Sequence, residues 1–186
     1  MENKSYTSAL IVIDMVYDFV NPLGRVYYEG NRDLLEKVNR LILQCKDKGM
    51  LIIYLQHSHR RNKFDAGLTR GRLNCMETDG GDALDPSLPI NQDEDFILKK
   101  RRYSGFAYTD LDLILKEHGI NKIYICGTKT NNCVRSTVED GYHLGYDVWV
   151  IKDCVATNDP NVNQVHLQDI DKYYGHVVSS TDLLGE

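Results

Sequence analysis

Cys133 is the residue of this chain best placed to act as a nucleophile. It lies in the run Lys122-Ile-Tyr-Ile-Cys-Gly-Thr-Lys-Thr-Asn-Asn-Cys-Val-Arg-Ser-Thr-Val-Glu-Asp-Gly-Tyr-His-Leu-Gly145. Ile123 to Cys126 is apolar and partly β-branched, which predicts a buried strand, and Gly127 ends it. Thr128 to Asn132 is a polar turn in which Thr130, Asn131 and Asn132 are each plausible N-caps. From Cys133 the pattern turns helical, with Val134, Thr137, Val138 and Gly141 on one face and Gly145 at the C′ position. A cysteine in the first turn of a helix sits among unpaired N–H groups at the positive end of the dipole. That setting favours thiolate over thiol, and the same N–H groups can hold a developing oxyanion. The chemistry this suggests is attack on a carbonyl carbon. A lone cysteine more often only packs, so its partners decide.

Those partners are read from strand ends. Ala9 to Ile13 is an almost continuous apolar run, as in a strand buried on both faces, and Asp14 follows it directly. A carboxylate there is costly to bury without a partner. Phe96-Ile-Leu98 predicts a further strand, followed by Lys99 and Lys100. In a parallel sheet the carboxyl ends of the strands share one edge, so Asp14, Lys100 and Cys133 are expected on the same edge. Asp153 is expected at the end of another strand, Tyr146 to Ile151. His57 and His59, two residues apart, would share a face of a strand end. No third metal ligand is convincingly placed beside them, so they are weak metal candidates and no metal is expected.

The elements that must position these groups alternate. Leu34, Leu35, Val38, Leu41, Ile42 and Cys45 keep helical spacing up to Gly49, and Met50 to Leu55 is the next strand. Tyr17 to Gly30 reads as a loop over a site. Gln56 to Asp95, poor in apolar residues and punctuated by glycine and proline, reads as an excursion carrying substrate contacts or an inter-subunit surface. Thr109 can cap a helix that has Asp112 as its capping-box acid and ends at Gly119. A final helix is expected from Pro160 to Tyr174, then a short strand at His176 to Val178. The pattern predicts one α/β domain over residues 1–186, a three-layer α/β/α fold with a mainly parallel, Rossmann-like sheet. No Gly-x-Gly-x-x-Gly follows the first strand and there is no P-loop, so nucleotide binding has no support.

Composition narrows the function further. At 42% apolar and 26% charged residues the chain has the balance of a soluble globular protein. A net charge of −5 with no basic stripe argues against nucleic acid as a partner. The longest apolar run, Met50 to Leu55, is far short of a membrane span, and Asp14 interrupts the only N-terminal apolar run, so no leader is expected. Five cysteines without Cys-x-x-Cys or zinc-type spacing point to a reduced, cytoplasmic protein.

Three stretches together resemble the isochorismatase-like cysteine hydrolases, which include nicotinamidases and N-carbamoylsarcosine amidohydrolases. They are Ala9-Leu-Ile-Val-Ile-Asp-Met-Val-Tyr-Asp-Phe19, Lys100-Arg-Arg-Tyr-Ser-Gly-Phe106 and Gly127-Thr-Lys-Thr-Asn-Asn-Cys-Val134. The resemblance implies a catalytic triad of Asp14, Lys100 and Cys133, with Lys100 rather than Lys99 in the family's place. It also implies a cis peptide between Thr128 and Lys129 and an oxyanion hole from the amides of Lys129 and Cys133. Thr128, Lys129, Phe19 and Phe106 are expected around the oxyanion or the substrate.

The substrate implied is a small amide or carbamoyl compound, cleaved through a thioester without a cofactor, by a homo-oligomer (dimer or tetramer). The chain departs from the pattern at Val16 and Tyr17, at Lys129, where the family more often has a small or acidic residue, and at His57, which stands where nicotinamidases have a metal-binding acid. Two alternatives stay open, isochorismatase-type hydrolysis without covalent catalysis and a non-catalytic binding or scaffold member.

Overall fold

In the computed structural model, which describes residues 6–71 and 73–184, the strands pair into one six-stranded sheet. They are β1 (Ala9–Ile13), β2 (Leu51–His57), β3 (Phe96–Lys100), β4 (Lys122–Thr128), β5 (Asp147–Ala156) and β6 (His176–Val178). Their order is β3-β2-β1-β4-β5-β6, and every neighbouring pair is parallel. The chain starts at the centre, winds out through β2 and β3, and returns to the far side of β1 with β4. The reversal falls between β1 and β4, and open α/β sheets take their ligands beyond the strand ends at such a point.

Pleating explains why β1 is apolar throughout. Ala9, Ile11 and Ile13 enter one core with α3 (Leu111–Glu117), α4 (Arg135–His143) and α5 (Pro160–Tyr173). Leu10 and Val12 enter the other, against the Leu34, Val38, Leu41, Ile42 and Cys45 stripe of α2 (Gly30–Asp47). With both faces covered, no position in β1 is free to be polar. Gly49 closes α2 with φ 71°, as its place in the sequence suggested. Among the described residues, no helix is long and apolar enough to cross a membrane.

The differences from expectation bear on the site. β2 and β3 run on to His57 and Lys100, which pair in register, so Lys100 is the last residue of its strand. β5 continues through an irregularity opposite β4 and does not stop at Ile151. Asp153 therefore lies inside the strand, where its carboxylate accepts the Ser180 N–H and hydroxyl at the start of an unpredicted helix, α6 (Ser180–Leu184). It takes no part in the site.

The stretch expected as a loop after Tyr17 holds a short helix, α1 (Tyr17–Val20). Its Asp18 is buried and accepts the backbone N–H of Cys75 at 2.6 Å and of Arg25 at 3.2 Å. With the Tyr17 and Asp18 backbone N–H groups donating to Ala83 and Gly81, that carboxylate ties the long excursion, which contains a 3₁₀ turn at Ala66–Arg70, to α1. Thr109 accepts the Leu111 N–H as a cap, whereas Asp112 pairs with Lys116 and Tyr146 and closes no capping box.

Gly127 joins the fold to the site. Its φ is 111°, and a Cβ added there would meet the Ile13 carbonyl oxygen at 2.1 Å. Gly127→Ala should therefore cost more than about 2 kcal/mol, since strain at positive φ adds to a backbone clash between the two central strands. Urea denaturation measures it, and a loss below about 0.5 kcal/mol would contradict this account of the close approach.

Candidate active site

Asp14 leaves β1 with φ 55°, a conformation non-glycine residues seldom adopt, and its side chain is fully buried. Its Oδ1 accepts the His57 backbone N–H at 3.0 Å and its Oδ2 accepts Lys100 Nζ at 2.8 Å. Lys100, equally buried, also donates to the Arg102 carbonyl and to Nδ1 of His57, each at 3.3 Å. An ammonium has three protons, and all three have acceptors here. Lys99, the alternative lysine, points the other way along the pleat and pairs with Glu77 and Asp82.

Because an ammonium only donates, His57 must present a bare Nδ1 and carry its proton on Nε2. That Nε2 lies 3.1 Å from Nε2 of His59, whose Nδ1 lies 3.2 Å from Asp65 Oδ2. Hydrogen bonds thus link Lys100 to both imidazoles, and the buried Asp65 carboxylate lies beside the second without a well-formed hydrogen bond to it. In the sequence alone these histidines are no more than weak metal candidates. Only the unexpected length of β2 reveals that they face the site.

Cys133 lies in a π turn, Thr130–Val134, in which the Val134 N–H reaches back to the Lys129 carbonyl at 3.1 Å. The expected side-chain cap is absent: Asn131 accepts from Thr157, and no hydroxyl or amide of this turn caps it. The peptide before the turn, Thr128–Lys129, is cis. The Cys133 sulfur, the Asp14 carboxylate and a His57 ring nitrogen lie within 4.8 Å of one another.

Burial sets the protonation states. It pushes the Cys133 thiol up to about 12, with Lys100 opposing and Asp14 reinforcing the shift. Burial thus favours the thiol, against the pull toward thiolate expected at an open helix start. Burial also raises Asp14 against the pull of Lys100. Lys100 loses from burial but is held above the ordinary lysine value by Asp14 and Cys133. His57 falls to about 2, through burial and then the neighbouring ammonium, and is neutral.

Cys133 opens onto a cavity of ≈ 790 Å³. Phe19 and Lys129 line it, together with His57 and His59. Phe106 does not reach it, because its ring stacks on Tyr146 in the core, 5.5 Å between centroids. Thr128 is also turned away, its hydroxyl 2.6 Å from that of Tyr28. Arg25, Arg102, Asn74 and Asn132 complete much of the wall and were missed, since polar loop residues give no periodic signal.

The cluster fits a metal poorly. A histidine binds a metal through one nitrogen while its other N–H donates outward. On His57, coordination through Nε2 would demand an imidazolate, because Nδ1 accepts from an ammonium, and coordination through Nδ1 would displace that ammonium; both Asp14 oxygens are also engaged. Exhaustive chelation is accordingly expected to leave turnover unchanged. Loss of activity that zinc or iron restores would overturn this reading of His57.

Comparison with known proteins agrees with the architecture. The isochorismatase domain family model matches residues 8–182. A protein of Arabidopsis thaliana named as a probable inactive nicotinamidase is 31% identical over 178 residues, covering 91% of each chain. The ureidoacrylate amidohydrolase RutB of Klebsiella pneumoniae is 31% identical over 196 residues, 91% of this chain and 82% of the relative. Among solved structures, the N-carbamoylsarcosine amidase of Thermoplasma acidophilum superposes with a TM-score of 0.82 at 28% identity, covering 94% of this chain and 96% of that one. A match over nearly the whole chain, with the same fold in its relatives, makes this protein a member of the isochorismatase family, which includes amidohydrolases.

Proposed function

We propose that the protein hydrolyses the C–N bond of a small amide or carbamoyl compound through a thioester on Cys133. The observation that carries this reading is the buried cluster of thiol, carboxylate and ammonium, whose sulfur, that of Cys133, opens onto the cavity. A thiol held neutral cannot attack unaided, so its proton passes to Asp14 as sulfur bonds to the carbonyl carbon. The oxyanion is received by the amides of Lys129 and Cys133. Asp14 returns the proton to the departing nitrogen as the C–N bond breaks, releasing ammonia or an amine. Water, deprotonated by Asp14, then cleaves the thioester and restores the thiol. Lys100 holds the carboxylate in place throughout, and its own orientation is fixed by His57 and Arg102.

The names of two relatives, an amidohydrolase of ureidoacrylate and an amidase of N-carbamoylsarcosine, support the choice of C–N bonds. Five unpaired cysteines support a reducing compartment such as the cytoplasm. The test is ammonia release from a panel of carboxamides, ureas and carbamoyl amino acids. Release from at least one class, abolished in Asp14→Asn, is expected, and no release from any member would contradict the reading.

A further inference from the structure

The cavity wall carries cations from Arg25, Arg101, Arg102 and Lys129, and no aspartate or glutamate belongs to it among the described residues. This runs against the protein as a whole, whose net charge is −5. Two of these charges are already matched by acids outside the wall, Arg25 by Asp79 at 2.6 Å and Arg101 by Glu77 at 2.8 Å. Arg102 differs. Its carbonyl holds Lys100, which places the residue at the reacting cluster, while its exposed guanidinium donates through Nη1 to the Arg101 carbonyl at 2.8 Å. No carboxylate pairs with it among the described residues. Phe19, Val26 and Leu73 give the same cavity an apolar side for the body of a ligand.

From this wall we infer that the substrate carries a carboxylate beside its scissile C–N bond, and that Arg102 receives it. A guanidinium offers a planar fork of donors that matches both oxygens of a carboxylate, which a neutral amide cannot use. A cationic ligand would meet repulsion from every charged group on the wall. The inference narrows the hydrolase reading to acids such as carbamoyl amino acids and half-amides of dicarboxylic acids. It makes Arg102 a specificity-determining residue and does not place it in the bond-breaking steps.

Binding to the full-length Cys133→Ala variant tests it without relying on turnover. Calorimetry would compare N-carbamoylglycine, N-carbamoyl-β-alanine and succinamate, each with the matching uncharged carboxamide. At least one acid should bind about tenfold more tightly than its partner, ~1.4 kcal/mol. Adding Arg102→Gln should erase that preference, and Arg102→Lys should restore part of it. The preference should also weaken as salt is raised. Arg102 is exposed, so the variants should keep their thermal transition. If no acid binds more tightly than its amide, or if the preference survives in Arg102→Gln, the inference is wrong. The hydrolase reading is judged apart from this, by ammonia release from the unmodified protein. Equal binding with release sinks only the carboxylate, and preferential binding without release sinks only the hydrolase.

Discussion

Replacing Cys133 by alanine should lower ammonia release by about 10³-fold or more while the chain stays folded. The loss follows from the absence of another thiol at the cavity among the described residues, since Cys45, Cys75, Cys126 and Cys154 are buried and none belongs to its wall. The cost to stability is not negligible. Cys133 is only 3% exposed and belongs to the core beneath β1 and β4, so exchanging the thiol for a methyl should cost about 1 kcal/mol. Steady-state assays and thermal melts separate the two effects. A variant that retained more than a few per cent of its activity would remove covalent catalysis from the account.

Lys100→Met is expected to have the largest effect on stability. It leaves the Asp14 carboxylate buried without its cation, and breaking a buried pair in this way costs about 3–5 kcal/mol. The pH dependence has a definite sign. Without the ammonium, the already raised pKa of Asp14 rises further in the folded state. A group raised on folding stabilises below its unfolded pKa, and that contribution is lost as pH climbs through the folded value. The deficit relative to the parent should thus be smallest in acid and widen toward neutrality. Lys100→Met with Asp14→Asn should recover part of the stability, because the orphaned charge is gone. A single variant as stable as the parent at neutral pH would contradict the buried ion pair.

The same variant reports on the thiol. Lys100 lowers the Cys133 pKa, so its removal should move the alkylation profile of Cys133 to higher pH. Lys129 lines the same cavity, and Lys129→Met alone and in combination shows whether it takes over part of this role. A Lys100→Met profile that overlays the parent in both backgrounds would leave Lys100 only its hold on Asp14.

How far the sequence was legible depended on what each residue signals. The six strands and the longer helices were visible, α1 and α6 not, because burial on both sheet faces makes β1 and β4 uniformly apolar and gives α2 its regular stripe. Asp14, Lys100 and Cys133 stood out because each closes or follows such a run. The protonation of Cys133 was not legible, since a π turn and a deep site differ from an open helix start in no residue of the sequence. Nor was the placing of His57 and His59 beside Lys100 and Asp65, which depends on β2 running two residues beyond its apolar stretch. Phe106 shows the opposite failure. An aromatic beside a reactive-looking motif was expected at the substrate, yet Tyr146 and Gly141 hold it in the core.

The most direct test of the central claim is the intact mass of the protein, acid-quenched during turnover of whichever panel compound is cleaved. A thioester intermediate predicts a mass increase equal to the acyl group, located on the peptide that carries Cys133 and absent from Cys133→Ala. Continued ammonia release with no acyl mass on that peptide, and with Cys133→Ala still turning over, would contradict it.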